Sequence, residues 1–164
     1  MSKFSEFISG VLQREGGASI TNDPDDPGGV TKFGLSARGT SMDPEEIKAL
    51  TEREAIDLYR KLYYKPSKCD KLPERLQEAY FDTVVNSGIS GATKILQQAA
   101  NHKNRKGRQI TVDGRIGPNT IAAIKDLETE RFRAFRIKRY VDVVNKKPYT
   151  EKFYYGWFRR ALEV

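Results

Sequence analysis

Apolar residues recur at helical spacing along most of this chain, and that periodicity confines it to a mostly α fold. Phe4, Phe7, Ile8, Val11 and Leu12 stand at i, i+3, i+4, i+7 and i+8, the stripe of a short amphipathic helix that Gly16-Gly17 stops. Asp43-Pro44 with Glu46, and Thr51 with Glu54, have the form that satisfies the free donors of a helix start, and they predict helices over 44–50 and 52–64. Leu76, Ala79, Tyr80, Thr83 and Val84 predict another running toward Asn86-Ser87-Gly88. A further one opens at Gly91 with Ala92, Ile95, Leu96, Ala99 and Ala100, and ends in the basic turn 103–108. After a turn at Ile110–Gly114, Pro118 is placed to begin a long helix through Ile121, Ile124, Leu127, Phe132 and Phe135. Thr150 is placed to cap a last helix carrying Phe153, Trp157 and Ala161. The periodicity fails chiefly between Ala18 and Gly39, a stretch rich in Asp, Pro and Gly. There Val30, Phe33 and Leu35 suggest brief strands, hence a structured loop or small β-hairpin.

A chain of 164 residues without repeats, low-complexity tracts or an obvious linker predicts a single domain, with its N- and C-terminal portions on one core. Its apolar runs are a few residues long against the roughly 20 that a spanning helix requires, so no membrane insertion is expected. Met1-Ser2-Lys3-Phe4-Ser5-Glu6 has no apolar signal core, which predicts synthesis in the cytoplasm. One cysteine, Cys69, and one histidine, His102, cannot supply a usual zinc shell, and metal catalysis through such ligands is excluded. A formal charge of +7 predicts an anionic partner without choosing among nucleic acid, membrane and cell wall.

The choice has to come from a site. Glu15 ends the first helix, where the negative end of the helix dipole and apolar neighbours both disfavour its ionised form. A carboxyl kept protonated can donate its proton to a leaving-group oxygen, as glycosidic cleavage requires. An ordinary solvated glutamate at a helix end is the competing reading. Asp23, Asp25 and Asp26 cluster downstream on a Pro/Gly-rich segment, and a second carboxylate across a cleft is what positions water or steadies an oxocarbenium-like state. With Asn22 these aspartates also suggest calcium, though the alternating spacing and closing Glu of an EF-hand are missing.

Glu15-Gly16-Gly17 followed by Asp26-Pro27-Gly28-Gly29-Val30-Thr31-Lys32-Phe33-Gly34-Leu35 resembles the signature of glycoside hydrolase family 108, the phage and bacterial N-acetylmuramidases. The resemblance extends to Phe81-Asp82-Thr83-Val84-Val85-Asn86-Ser87-Gly88. Thr111-Val112-Asp113-Gly114-Arg115-Ile116-Gly117-Pro118-Asn119-Thr120 is similar to the peptidoglycan-binding segment found with that family. One departure is Ala18, where an aromatic would be expected. The resemblance implies a lysozyme-like α-helical domain with residues 1–90 catalytic and 91–164 binding peptidoglycan. It implies Glu15 as catalytic acid, with Asp26 and Thr31 handling water and Asp23 and Asp25 as rivals of Asp26. It also implies cleavage of the β-1,4 bond between N-acetylmuramic acid and N-acetylglucosamine, with no cofactor. Without a signal peptide, such an enzyme suits an endolysin released through a holin.

Asp82 and Asn86 lie four apart on one helical face, so both are candidates to hydrogen-bond glycan groups; capping by Asn86 is the plainer alternative. Asp113, Gly114 and Gly117 are assigned to shaping a turn, Trp157 to the core and His102 to a solvated helix end. The run Arg131–Arg139 reads as a solvated face that also suits an anionic wall. Nucleic-acid binding has the charge and Lys103-Asn104-Arg105-Lys106-Gly107-Arg108 in its favour but no reading motif. Bacterial peptidoglycan is therefore the expected partner and nucleic acid is not. A lytic transglycosylase and a non-catalytic wall-binding protein are the other readings, and nothing in the chain demands a second copy.

Overall fold

A computed structural model of the protein describes residues 3–22 and 28–164. Helices dominate, with one two-stranded antiparallel hairpin near the N-terminus, as the periodicity requires. The chain divides into two compact units, Met1–Leu62 and Tyr63–Val164.

In the first unit, α1 (Lys3–Arg14) buries Phe4, Phe7, Ile8, Val11 and Leu12, the residues of the predicted stripe. Strands β1 (Thr31–Lys32) and β2 (Leu35–Ser36) pair Thr31 with Ser36 and Lys32 with Leu35. The short α2 (Ala37–Thr40) follows, capped by the Ser36 hydroxyl, which accepts from the Gly39 N–H. Both predicted capping boxes are formed: Asp43 with Glu46 starts α3 (Pro44–Ala49), and Thr51 with Glu54 starts α4 (Glu52–Tyr59). The expected helix over 52–64 is α-helical only to Tyr59 and continues as a π-helical turn, Arg60–Tyr64.

In the second unit, a 3₁₀ turn at Cys69–Lys71 leads into α5 (Glu74–Lys103), which joins two predicted helices end to end. No loop separates them. The break is one residue, Gly88, at φ 74 and ψ 161, and helical geometry resumes beyond it. The long helix expected from Pro118 is instead two: α6 (Pro118–Ala123) and α7 (Thr129–Lys146). Between them the Leu127 N–H donates to the Ile124 carbonyl (3.0 Å) in a turn, and Ile124 and Leu127 are both fully buried. Thr150 does not cap the last helix either. It is buried within a 3₁₀ helix, Pro148–Phe153, its hydroxyl donating to the Lys147 carbonyl, and α8 (Tyr154–Glu163) begins four residues later. Helix α7 packs against both α5 and α8.

The turn between α5 and α6 is organised by one buried amide. The Gln97 side-chain nitrogen donates to Asp113 Oδ1 (2.8 Å), Thr120 Oγ1 (3.1 Å) and the Arg115 carbonyl (3.1 Å), while its oxygen accepts from the Gly114 N–H (2.9 Å). Gly114 has φ 77, and a Cβ there would lie 2.5 Å from Ser90 Oγ. Of the glycines assigned to this turn, Gly114 needs its freedom; Gly117 has ordinary extended geometry, φ −129 and ψ 178. Replacing Gln97 with Ala would strand a buried N–H and remove the link between three segments. Gln97→Ala is expected to cost about 2–3 kcal/mol of stability in urea unfolding; a loss below about 0.5 kcal/mol would mean that the turn holds without it.

Candidate functional site

The first unit places Glu15 just past the end of α1, where its own N–H still donates to the Val11 carbonyl (3.0 Å) and the Gly17 N–H closes the helix on Leu12 (2.9 Å). The Glu15 side chain is half-buried. Against this turn lies the hairpin: the Phe33 N–H donates to the Gly17 carbonyl (2.9 Å), and the Phe33 carbonyl accepts from the buried Tyr59 hydroxyl (2.9 Å). The hairpin turn comes so close that a Cβ on Gly34, which has φ 73, would sit 2.6 Å from Glu15 Cβ and 2.8 Å from the Tyr59 hydroxyl oxygen. The hairpin turn thus packs on the start of the Glu15 side chain, and α4 holds that turn in place through Tyr59.

Thr31 lies on this same hairpin. It is half-buried, its hydroxyl donates to the Gly29 carbonyl (3.3 Å), and its backbone exchanges two hydrogen bonds with Thr21 (2.9 and 3.0 Å). That bridge ties together the two ends of the segment carrying the three loop aspartates. Asp23, Asp25 and Asp26 themselves lie outside the described residues, and with them the choice of Glu15's partner and the calcium alternative. Gly34 was legible within the motif, whereas Tyr59 carried no signal beyond an apolar helix position. Its hydroxyl finds its partner 26 residues away.

The second unit gives Asp82 a different part from the sugar contact expected of it. Asp82 is 0% exposed, and both its oxygens are taken: Arg136 donates to Oδ2 (2.7 Å), and Arg160 donates to Oδ2 and Oδ1 (3.0 Å each). Burial alone would push this carboxyl up, but hydrogen bonds and charge from Arg160 and Arg136 outweigh it and hold the group below the usual carboxylate range. Asp82 therefore ties α5 to α7 and α8. Arg136, inside a run read as a solvated face, is fully buried, and its Nε also donates to the Tyr140 hydroxyl (2.8 Å). That hydroxyl donates in turn to Asn86 Oδ1 (3.0 Å), so Asn86 is exposed and yet oriented from behind.

Trp157 departs from its assignment to the core, while His102 is the exposed helix-end residue expected of it. Trp157 is half-buried between Tyr140 (ring centroids 5.3 Å apart) and Phe153 (5.9 Å), in a row of rings on the flank of the helices. His102 has partners: its Nδ1 lies 2.9 Å from an Arg131 nitrogen, and its ring lies 5.3 Å from that of Phe135.

Two measurements check these geometries. Gly34→Ala meets both a left-handed φ and the Glu15 side chain, and should destabilise the protein by about 2 kcal/mol in denaturant unfolding. An unchanged midpoint would show that the hairpin can back away from Glu15. For Asp82 the folded pKa is depressed, so its contribution is complete above the unfolded value near 3.9 and is lost as pH falls through the folded one. Asp82→Asn should cost about 3–5 kcal/mol at pH 7 by leaving two guanidiniums without their anion, and the gap to the wild type should narrow toward about pH 2. Parallel stability curves from pH 7 to pH 2 would contradict this.

The family described as Glycosyl hydrolase 108 matches residues 8–88, a span that holds Glu15, Thr31, Asp82 and Asn86. The family described as Predicted Peptidoglycan domain matches residues 91–162. No curated protein matches the chain. Among solved structures, SagA of Brucella abortus is similar at 27% identity and a TM-score of 0.76, over 98% of this chain and 90% of that one. Residues 8–88 thus belong to the glycosyl hydrolase 108 family and residues 91–162 to the predicted peptidoglycan domain family, which makes this chain a peptidoglycan hydrolase.

Proposed function

We propose that the protein is an N-acetylmuramidase that hydrolyses the β-1,4 bond between N-acetylmuramic acid and N-acetylglucosamine in bacterial peptidoglycan. Glu15 donates its proton to the glycosidic oxygen as the C1–O bond breaks. Asp26 takes a proton from the water that adds to C1, and Thr31 helps to orient that water. The products are a new reducing end on N-acetylmuramic acid and a free hydroxyl on the departing sugar. Among the described residues the chemistry needs a carboxylic acid and hydroxyls, and no cofactor enters the reaction.

The observation that carries this reading is the seat of Glu15. A general acid must hold its proton at a fixed point near the leaving oxygen, because misplacement by about 1 Å costs on the order of 100-fold in rate. Gly34 packs so closely on the base of this side chain that a Cβ there would lie 2.6 Å from Glu15 Cβ, Tyr59 holds the turn that carries Gly34, and Glu15 as a whole is half-buried. Such close packing around one surface glutamate is more than a solvated helix end requires. The Thr31 hydroxyl donates to the Gly29 carbonyl, which leaves its oxygen to accept from a water.

The test is reducing-sugar release with mass spectrometry of the fragments, from purified peptidoglycan treated with wild type and Glu15→Gln. The wild type should generate reducing N-acetylmuramic acid ends, and Glu15→Gln should lose about 10²- to 10⁴-fold of that rate. Equal rates would move the acid elsewhere. An anhydro sugar without new reducing ends would identify a transglycosylase and remove the water-handling roles of Asp26 and Thr31.

A further inference from the structure

The basic segment that closes α5 forms one wall of a cleft of about 500 Å³, and the proposed hydrolysis makes no use of it. His102, Lys103, Arg105, Lys106, Arg108 and Arg131 line it, and among the described residues no carboxylate does. Part of this charge is already answered. Glu128 accepts from Arg131 (2.9 Å) and lies 3.5 Å from Lys103, and the hydrogen bonds from Arg131 hold its carboxyl down at about 2, so it stays anionic. Lys103 also donates to the Asp126 carbonyl. Arg105, Lys106 and Arg108 have no such partner: all three are exposed and make no ion pair among the described residues.

The backbone that displays them is held at both ends. The Asn104 N–H donates to the Ala100 carbonyl (3.0 Å) and the Gly107 N–H to the Asn104 carbonyl (2.8 Å), closing the helix in a tight turn. On the far side the Asn101 amide clasps the backbone of Ile110 in both directions, 2.8 Å each way. Three unanswered cations on a pinned loop are preorganised for an anion, because the conformational cost of gathering like charges was met in folding. Two of them are arginines, whose planar fork matches a carboxylate in a bidentate fashion.

We infer that this cleft docks the carboxylates of the peptides that peptidoglycan strands carry, anchoring the protein on its polymer away from the bond being cut. The inference rests on the peptidoglycan reading, and the loop lies inside the segment 91–162 that matches the peptidoglycan domain. The one ring in the cleft is that of His102, already packed against Phe135 (5.3 Å) and held by Arg131, and no phenylalanine, tyrosine or tryptophan joins it. The lining offers no broad platform for stacking, the contact on which single-stranded nucleic-acid binding relies, and its cations suit point anions.

The experiment is co-sedimentation at 4 °C with three insoluble polymers: intact sacculi, sacculi stripped of phosphate polymers by hydrofluoric acid, and sacculi whose peptide carboxylates have been converted to neutral amides with a carbodiimide and ammonia. Wild type should bind the first two alike and the amidated polymer about tenfold more weakly, with the difference fading in high salt. The triple substitution Arg105→Ala, Lys106→Ala, Arg108→Ala should bind all three at the weak level. A second variant, Arg105→Lys with Arg108→Lys, should keep most of the preference, and thermal melts of both establish that they fold. The inference is overturned if the triple variant binds intact sacculi as wild type does, or if amidation of the peptide carboxylates leaves wild-type binding unchanged. Loss of binding on phosphate stripping, or a variant defect seen only with duplex or single-stranded DNA, would overturn it too. Failure of wild type to bind any sacculus would count against the peptidoglycan reading itself, an outcome distinct from wild type and triple variant binding alike.

Discussion

A carboxylate taken wholly out of water is stable only where cations replace its hydration, and in the larger unit Asp82 sets that condition for three helices at once. Arg136 of α7 and Arg160 of α8 both reach its oxygens, so neither helix can slide or turn on α5 without leaving charge unanswered in the interior. Apolar contacts alone would tolerate several registers. The ionic cluster selects one, and the arrangement propagates outward through Arg136 to Tyr140 and on to Asn86 at the surface. A polar group facing solvent on α5 thereby inherits its orientation from the most buried charge on the same helix.

The smaller unit obtains its precision by contact. Its hairpin has two residues in each strand, too few to be rigid by pairing alone. What holds it is the docking of its turn on the end of α1 and on Tyr59, so the strands and Glu15 are positioned by the same few atoms. Such a site is economical, and it makes the residue at position 34 as consequential as any that bears a functional group.

Sequence patterning was most informative where one element's own chemistry decides the outcome. The α1 stripe and the capping boxes of Asp43 and Thr51 are local, and they form as read. It was least informative where distant residues decide. The split between α6 and α7 has no local mark: Ile121, Ile124 and Leu127 keep helical spacing, yet α6 ends at Ala123 and a turn closes from Leu127 onto Ile124. Arg136 looked like its neighbours in a charged run, because nothing local announces a partner 54 residues earlier. Asp82 and Asn86 share a helical face as the spacing required, yet depth separates them: one is sealed in, the other exposed. Of the residues gathered around the hairpin, Glu15 and Thr31 were legible through their motif, whereas Tyr59 enters only through the fold.

The kink at Gly88 has a bearing on how such a protein can be built. The two family matches end and begin at 88 and 91, so the junction between them falls inside a single run of helix, with no tether between the modules. A chain cut there would bare up to four carbonyls on one side and four N–H groups on the other, besides dividing the helix that carries both Asp82 and Gln97. Modules joined this way cannot be shuffled like beads on a string. Any recombination that exchanged one for another would have to preserve a shared helix across the seam, and the segment that matches the glycosyl hydrolase family and the one that matches the peptidoglycan domain are for that reason mechanically joined as a single piece.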